Sequence, residues 1–241
     1  MKRSFIGAML LTVILSIQSW AILLGVDKKP KWYSDNQIID QSKKHQIQSE
    51  YSVTLDTIRY KAKLRELYAE IFQQLRNSNV DSSEYKKQKG IFKDDSQPVQ
   101  FRLFDTKGNE VFKIVNCYVD KPITADWNVN GCFDSFPPYI NEPNLNIHNY
   151  NLEFLLACTN PLNDSKPLTR EMLPSADYYG VIIWNDVYHK YSKNLIKIVQ
   201  KRISSVNKSV VLIYVNNHNA AIWSLTDTET KQKIKEELKA K

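Results

Sequence analysis

The chain lacks most of the motifs that mark a reaction. It has only three cysteines among 241 residues, Cys117, Cys132 and Cys158, and no two stand in C-x-x-C spacing. Its four histidines, His45, His148, His189 and His218, are far apart with no i, i+4 pair, so the sequence supports no metal site. There is no G-x-x-x-x-G-K-[ST] loop for phosphates and no G-x-S-x-G elbow for a nucleophilic serine. The adjacent acids Asp94-Asp95 and Glu236-Glu237 point in different directions and read as solvated side chains, not as a catalytic dyad. No catalytic residue and no cofactor is therefore expected. Glycine is scarce, with six residues, and proline is ordinary with nine, so the chain is not low-complexity.

Charge excludes less. The net charge is +7, which could serve nucleic acid or an anionic surface. The basic residues are scattered, however, and no recognition helix or RNA-binding signature accompanies them. No nucleic-acid partner is expected. The densest runs are Lys28-Lys29-Pro30-Lys31 and Lys86-Lys87-Gln88-Lys89. The first suits lipid headgroups beside a membrane. The odd cysteine count permits one disulfide and one free thiol in an oxidising compartment. Cys117 and Cys132 flank one irregular loop and are the favoured pair; three separate buried thiols are the alternative.

What is present begins with Phe5 to Val26, which carries no charged residue and is flanked by Lys2 and Arg3 before and Asp27 and Lys28 after. A helix of about 20 such residues crosses a bilayer core. A cleaved signal peptide is the rival, with Ser19-Trp20-Ala21 as cleavage site, but signal cores run to about 15 residues. Here Ile22, Leu23 and Leu24 prolong the run. An uncleaved membrane anchor is preferred, with the body outside the cytoplasm, in a bacterium the periplasm. The remainder is long enough for one good-sized domain.

Asp35 to about Asn79 reads as helix, with Leu55, Ile58, Leu64, Tyr68, Ile71 and Leu75 on one face. The chain before Gln48 reads as a linker or loose stalk, and Asn77 to Gln97 as a polar break. Val99 to Phe104 and Glu110 to Val115 alternate around the Asp105–Asn109 turn, a hairpin signal. Tyr118 to Asn149 is a long loop, and Asn151 to Cys158 a short buried helix. Tyr179 to Trp184 and Ser209 to Val215 are apolar runs of buried-strand type around an amphipathic helix, Ser192 to Val206. Strand, helix, strand with short connections makes a parallel βαβ unit. Thr226 to Ala240 reads as a charged final helix.

Gly180-Val181-Ile182-Ile183-Trp184-Asn185-Asp186-Val187-Tyr188-His189, followed by Val211 to Asn216, resembles the first βαβ core of thioredoxin-like proteins. In that family an apolar strand ends near a tryptophan, a loop carries C-x-x-C, a helix follows, and the next strand often ends in Val-Asn. The hairpin before it is similar to one in periplasmic members. The loop from Asn185 to Tyr191 has no cysteine, and without a thiolate the family's redox reaction cannot occur there.

The resulting expectation is an α/β chain: residues 1–26 an anchor or signal sequence, 27–95 a linker and helical segment, 96–241 a thioredoxin-like mixed sheet with flanking helices. Its function would be that of a redox-inactive binding or assembly module, with Asn185, Asp186, Tyr188 and His189 at the ligand-facing loop. The bland alternative makes Tyr188 and His189 plain exposed loop residues. Two other functions stand beside it. One is a thiol–disulfide enzyme using Cys117, Cys132 or Cys158. The other is a component of an envelope complex, with an envelope protein partner held through the helical segment. Fold alone decides among none of these.

Overall fold

The computed structural model describes residues 31–47, 51–78, 81–119, 124–139, 150–162 and 167–225, with 229 and 232. The Phe5 to Val26 run and most of the final helix expected from Thr226 lie outside them. Among the described residues no helix is long and apolar enough to cross a membrane.

A six-stranded mixed sheet forms the middle layer, in the order β3-β2-β5-β6-β1-β4. Its strands are β1 (Ser52–Leu55), β2 (Gln100–Phe104), β3 (Glu110–Val115), β4 (Thr159–Pro161), β5 (Tyr178–Trp184) and β6 (Val210–Asn216). The helices are α1 (Asp35–Lys44), α2 (Thr57–Asn77), α3 (Ser82–Asp95), α4 (Leu152–Leu156), α5 (His189–Ser204) and α6 (His218–Leu225).

The expected βαβ unit is present. β5 and β6 pair in parallel from Tyr178 opposite Val210 to Trp184 opposite Asn216. Beyond the half-buried Tyr178 and Val210 to Leu212, their side chains are buried on both faces, which is why the runs show little alternation. Between them α5 turns Leu195, Ile196 and Val199 into the sheet; Ile203, at its end, is half-buried. Gly180 allows the sheet to close here: a Cβ would stand 2.8 Å from Leu212 and 3.1 Å from Phe101. The hairpin is also as expected, β2 pairing antiparallel with both β3 and β5. Its turn is tied by Asp105, whose Oδ1 accepts from the Lys107 and Asn109 amides at 2.8 Å each.

Two expectations are corrected. The continuous helix from Asp35 to about Asn79 is two helices with a strand between them. α1 starts at a capping box, Ser34 with Gln37. β1 then pairs parallel with β6 and antiparallel with β4. α2 starts afresh at Asp56, whose carboxylate accepts from the Arg59 amide at 2.9 Å. The supposed stalk therefore supplies a strand and core helices to the same sheet. Tyr60, Leu64, Tyr68 and Ile71 form the buried stripe of α2, whereas Ile58 is 77% exposed. The polar break contains α3, a helix whose apolar contribution is small, with Ile91 buried.

The acids at the end of α3 are the larger surprise. Asp94 and Asp95 are buried, not solvated. Asp95 Oδ1 lies 2.7 Å from Arg102 Nη2 and 2.9 Å from Lys113 Nζ, and the Tyr68 hydroxyl donates to Oδ2 at 2.6 Å. Arg102 is fully buried; its Nη1 also pairs with Glu110, its Nε donates to Gln100 at 2.8 Å, and its guanidinium lies 3.9 Å from the Tyr150 ring centre. Burial pushes the Asp95 carboxyl up, but Arg102 and Lys113 outweigh it and hold the group below its usual range. Two cations and two carboxylates thus balance inside the layer between the sheet and α2. Such a cluster adds little net stability when complete, but removing one member strands a buried charge. Replacing Arg102 by Met should lower unfolding free energy by about 3–5 kcal/mol in chemical denaturation, while Lys193→Ala, at an exposed position of α5, should change it by less than about 0.5 kcal/mol.

Candidate functional site

Parallel strands deliver their last residues to one edge, and this edge is where open α/β sheets hold ligands. Here it gathers Trp184, Asn185 and Asp186 after β5, Asn216, Asn217 and His218 after β6, and Leu55 and Asp56 after β1. α1 crosses the edge from one side and brings His45.

The four residues expected to face a ligand do different things. Asn185 is buried and its amide is spoken for: Nδ2 donates to the Pro98 carbonyl at 3.0 Å and to Asn217 Oδ1 at 2.8 Å, and Oδ1 accepts from the Tyr188 amide at 2.9 Å. Its backbone is clamped by Ser192, whose hydroxyl donates to the Asn185 carbonyl at 2.7 Å. Asn217 Nδ2 reaches the same Pro98 carbonyl at 2.8 Å. Asn185 therefore fixes the loop and the ends of both strands. Tyr188 is half-buried and packs beside Val187, Ala221 and Ile222. His189 is exposed at the first turn of α5.

Asp186 is the centre of a group that the sequence did not disclose. His45 Nε2 lies 2.8 Å from its Oδ1, and both side chains are nearly buried. Tyr33 also hydrogen-bonds this carboxylate, and Tyr33 stacks on His218 with ring centres 3.8 Å apart and planes within 9°. His218 Nε2 contacts the Lys31 carbonyl at 2.8 Å, and the Trp184 ring stands edge-on to His45. Burial pushes the Asp186 carboxyl up; the His45 hydrogen bond and charge, with His218 and Tyr33, more than offset this and hold it below its usual range. The cluster ties the segment before α1, α1 itself, the β5 loop and α6 together. Among the described residues His45 Nδ1 has no hydrogen-bond partner; the contacts of the cluster order the edge.

Two clefts open around this ordered edge. One, of about 350 Å³, lies between β1, β6, α1 and α6 and is lined by Trp32, Asp35, Asp56, Asn216 and Trp223 among others. The other, of about 320 Å³, lies toward α2 and includes Tyr60, Gln100, Tyr188 and Asn217. Both volumes fall within the range of small-molecule sites. Of the four expected residues, only Tyr188 lines either cleft. Among the described residues no group of histidines, cysteines and carboxylates is arranged to hold a metal.

Two of the cysteines are elsewhere, whereas the buried Cys158 backs onto the β1 end of the edge, its carbonyl accepting from the Asp56 amide at 2.8 Å; the Cys117–Cys132 bridge expected from the sequence is not formed. All three are free thiols. Cys117, on the turn after β3, lies 3.4 Å from Asp94 Oδ1, and Cys132 lies 3.4 Å from the Trp127 carbonyl inside the core on the α5 side. Trp127 and Phe133 fold the loop back under α5, drawing Cys132 inward while Cys117 stays at the surface. Burial pushes each thiol up to about 11, aided at Cys117 by the Asp94 charge. Comparison of the chain with protein-family models, with characterised proteins and with solved structures yields no match.

Asp186→Asn should cost about 1–3 kcal/mol, because it leaves buried His45 without its charged acceptor. The lowered carboxyl gives Asp186 a stabilising contribution that is complete above about pH 4 and lost as pH falls through its folded value. The variant's stability should therefore fall less steeply on acidification. His189→Ala should remain within about 0.5 kcal/mol of the parent, while Tyr188→Ala, losing packed ring surface, should cost more. Urea unfolding across pH 2–7 measures all three.

Proposed function

We propose that this chain is a membrane-anchored protein whose extracytoplasmic body is a redox-inactive, thioredoxin-like binding or assembly module. The observation that carries the binding part is the carboxyl edge of β5, β6 and β1. Two clefts flank it, and the Asn185 and Asp186 networks hold it rigid. A preorganised concave edge spends little binding energy on ordering.

The thioredoxin-like part is supported by the parallel β5–α5–β6 unit and by a hairpin, β2–β3, lying against β5. In the resemblance the loop after β5 is where the reactive cysteines would be. Here that loop carries Asn185, Asp186 and Tyr188, with side chains engaged in hydrogen bonds and packing. Cys117 and Cys132 stand away from this edge, Cys158 is buried beneath its β1 end with its carbonyl on the Asp56 amide, and burial raises all three thiols well above neutrality, which makes thiolate rare and disfavours a thiol–disulfide enzyme. The reading of a helical stalk as partner surface loses support, since α2 turns its apolar stripe into the sheet. The anchor rests on the Phe5 to Val26 run.

Three results are expected. The full-length protein should stay in the membrane pellet after carbonate washing and retain its initiator Met; a mature N-terminus near Ile22 would remove the anchor. Native protein treated with a maleimide near pH 7 should label at Cys117 alone, and slowly, with Cys132 and Cys158 reacting only after unfolding. It should not reduce insulin disulfides, and turnover in that assay would overturn the redox-inactive reading.

A further inference from the structure

The cleft between β1, β6, α1 and α6 has chemistry that selects a ligand class. Trp32 and Trp223 stand with ring centres 6.4 Å apart and planes at 75°, so two half-buried indoles form an aromatic corner. Indole faces attract cations through the ring quadrupole, and aromatic corners are used to hold alkylammonium groups. Two carboxylates line the same space, Asp35 at the start of α1 and Asp56 at the start of α2. Arg59 partly neutralises Asp56 at 3.2 Å, but no lysine, arginine or histidine belongs to the described lining. Asp35 and Asp56 are thus the charged side chains of the described lining.

A separate observation comes from the floor. Asn216 ends β6 and is 3% exposed. Its Oδ1 accepts from the His218 amide at 3.0 Å, but its Nδ2 has no hydrogen-bond partner. A buried donor left unmet costs about 1–3 kcal/mol. It would be satisfied by an acceptor oxygen a few bonds from a group seated on the indoles.

We propose that this cleft binds a small alkylammonium compound bearing an oxygen acceptor, with the cation at Trp32 and Trp223 beside Asp35 and the oxygen at Asn216 Nδ2. Choline is the simplest molecule of this chemistry. The inference deepens the binding-module reading and rests on it. The group could belong to a free solute or to a lipid headgroup.

The test uses the full chain in phosphatidylglycerol nanodiscs, titrated with choline chloride and with 3,3-dimethyl-1-butanol, its uncharged isostere, by calorimetry and tryptophan emission. Choline should bind saturably at one site and the isostere at least about tenfold more weakly. Trp223→Leu should weaken choline about tenfold. Ile58 lines the mouth and is 77% exposed, so Ile58→Lys should keep the fold and weaken choline about fivefold by repulsion, leaving the isostere unchanged. Nanodiscs of phosphatidylcholine separate the sources. Lost response to added choline there marks a headgroup ligand, and an unchanged response marks a free solute; both support the site. No saturable choline binding, equal binding of the isostere, or indifference to Ile58→Lys overturns the proposal. The membrane, thiol and insulin tests are independent of this titration, so its failure leaves the broader reading standing.

Discussion

The parallel pairing of β5 with β6 is the constraint on which the other elements depend. These strands are the middle of the sheet. β2 and β3 are added beyond β5, and β1 and β4 beyond β6. Because the two central strands run the same way, their last residues emerge together. Asn185 and Asn217 can therefore share the Pro98 carbonyl, and Asp186 and His218 can both reach Tyr33. An antiparallel pair would send these residues to opposite edges, and neither network could form.

The two faces of the sheet are covered differently. On one, α5 and the loop bearing Trp127 and Phe133 make an apolar layer. On the other, α2 and α3 enclose an ionic cluster built on Arg102 and Asp95. That cluster is expensive to desolvate, and its members come from α3, β2 and β3. It is satisfied only when the hairpin has its register and α3 ends at Asp95. Its role is better described as specifying one arrangement than as adding stability. The candidate site lies at the carboxyl ends of the central strands, between these two layers, where backbone position is set from both sides.

The elements legible in the sequence were those whose signal is local. Apolar runs disclosed β5 and β6, the 3.6-residue period disclosed α5 and most of α2, and alternation around Asp105 to Asn109 disclosed the hairpin. β1 escaped because four residues, Ser52–Leu55, carry too little pattern, and flanking helical periodicity absorbed them. α3 escaped because its buried residues include charged ones, and Asp94 and Asp95 read as solvated until Arg102 and Lys113 are placed opposite. The candidate site was half legible. The loop after Trp184 was located, but Asn185 and Asp186 face inward. His45 and Asp186 are separated by 141 positions, and the aromatic corner joins residue 32 to residue 223. No spacing rule reports contacts made only by the tertiary fold.

Hydrogen exchange of the full chain with and without saturating choline tests most directly whether ligand binds at the β1–β6 end of this edge. Amides of residues 54–58 and 216–223 should exchange more slowly in the bound state, with the β2–β3 hairpin unchanged. Protection confined to residues 185–191, or none at either segment, would contradict the account.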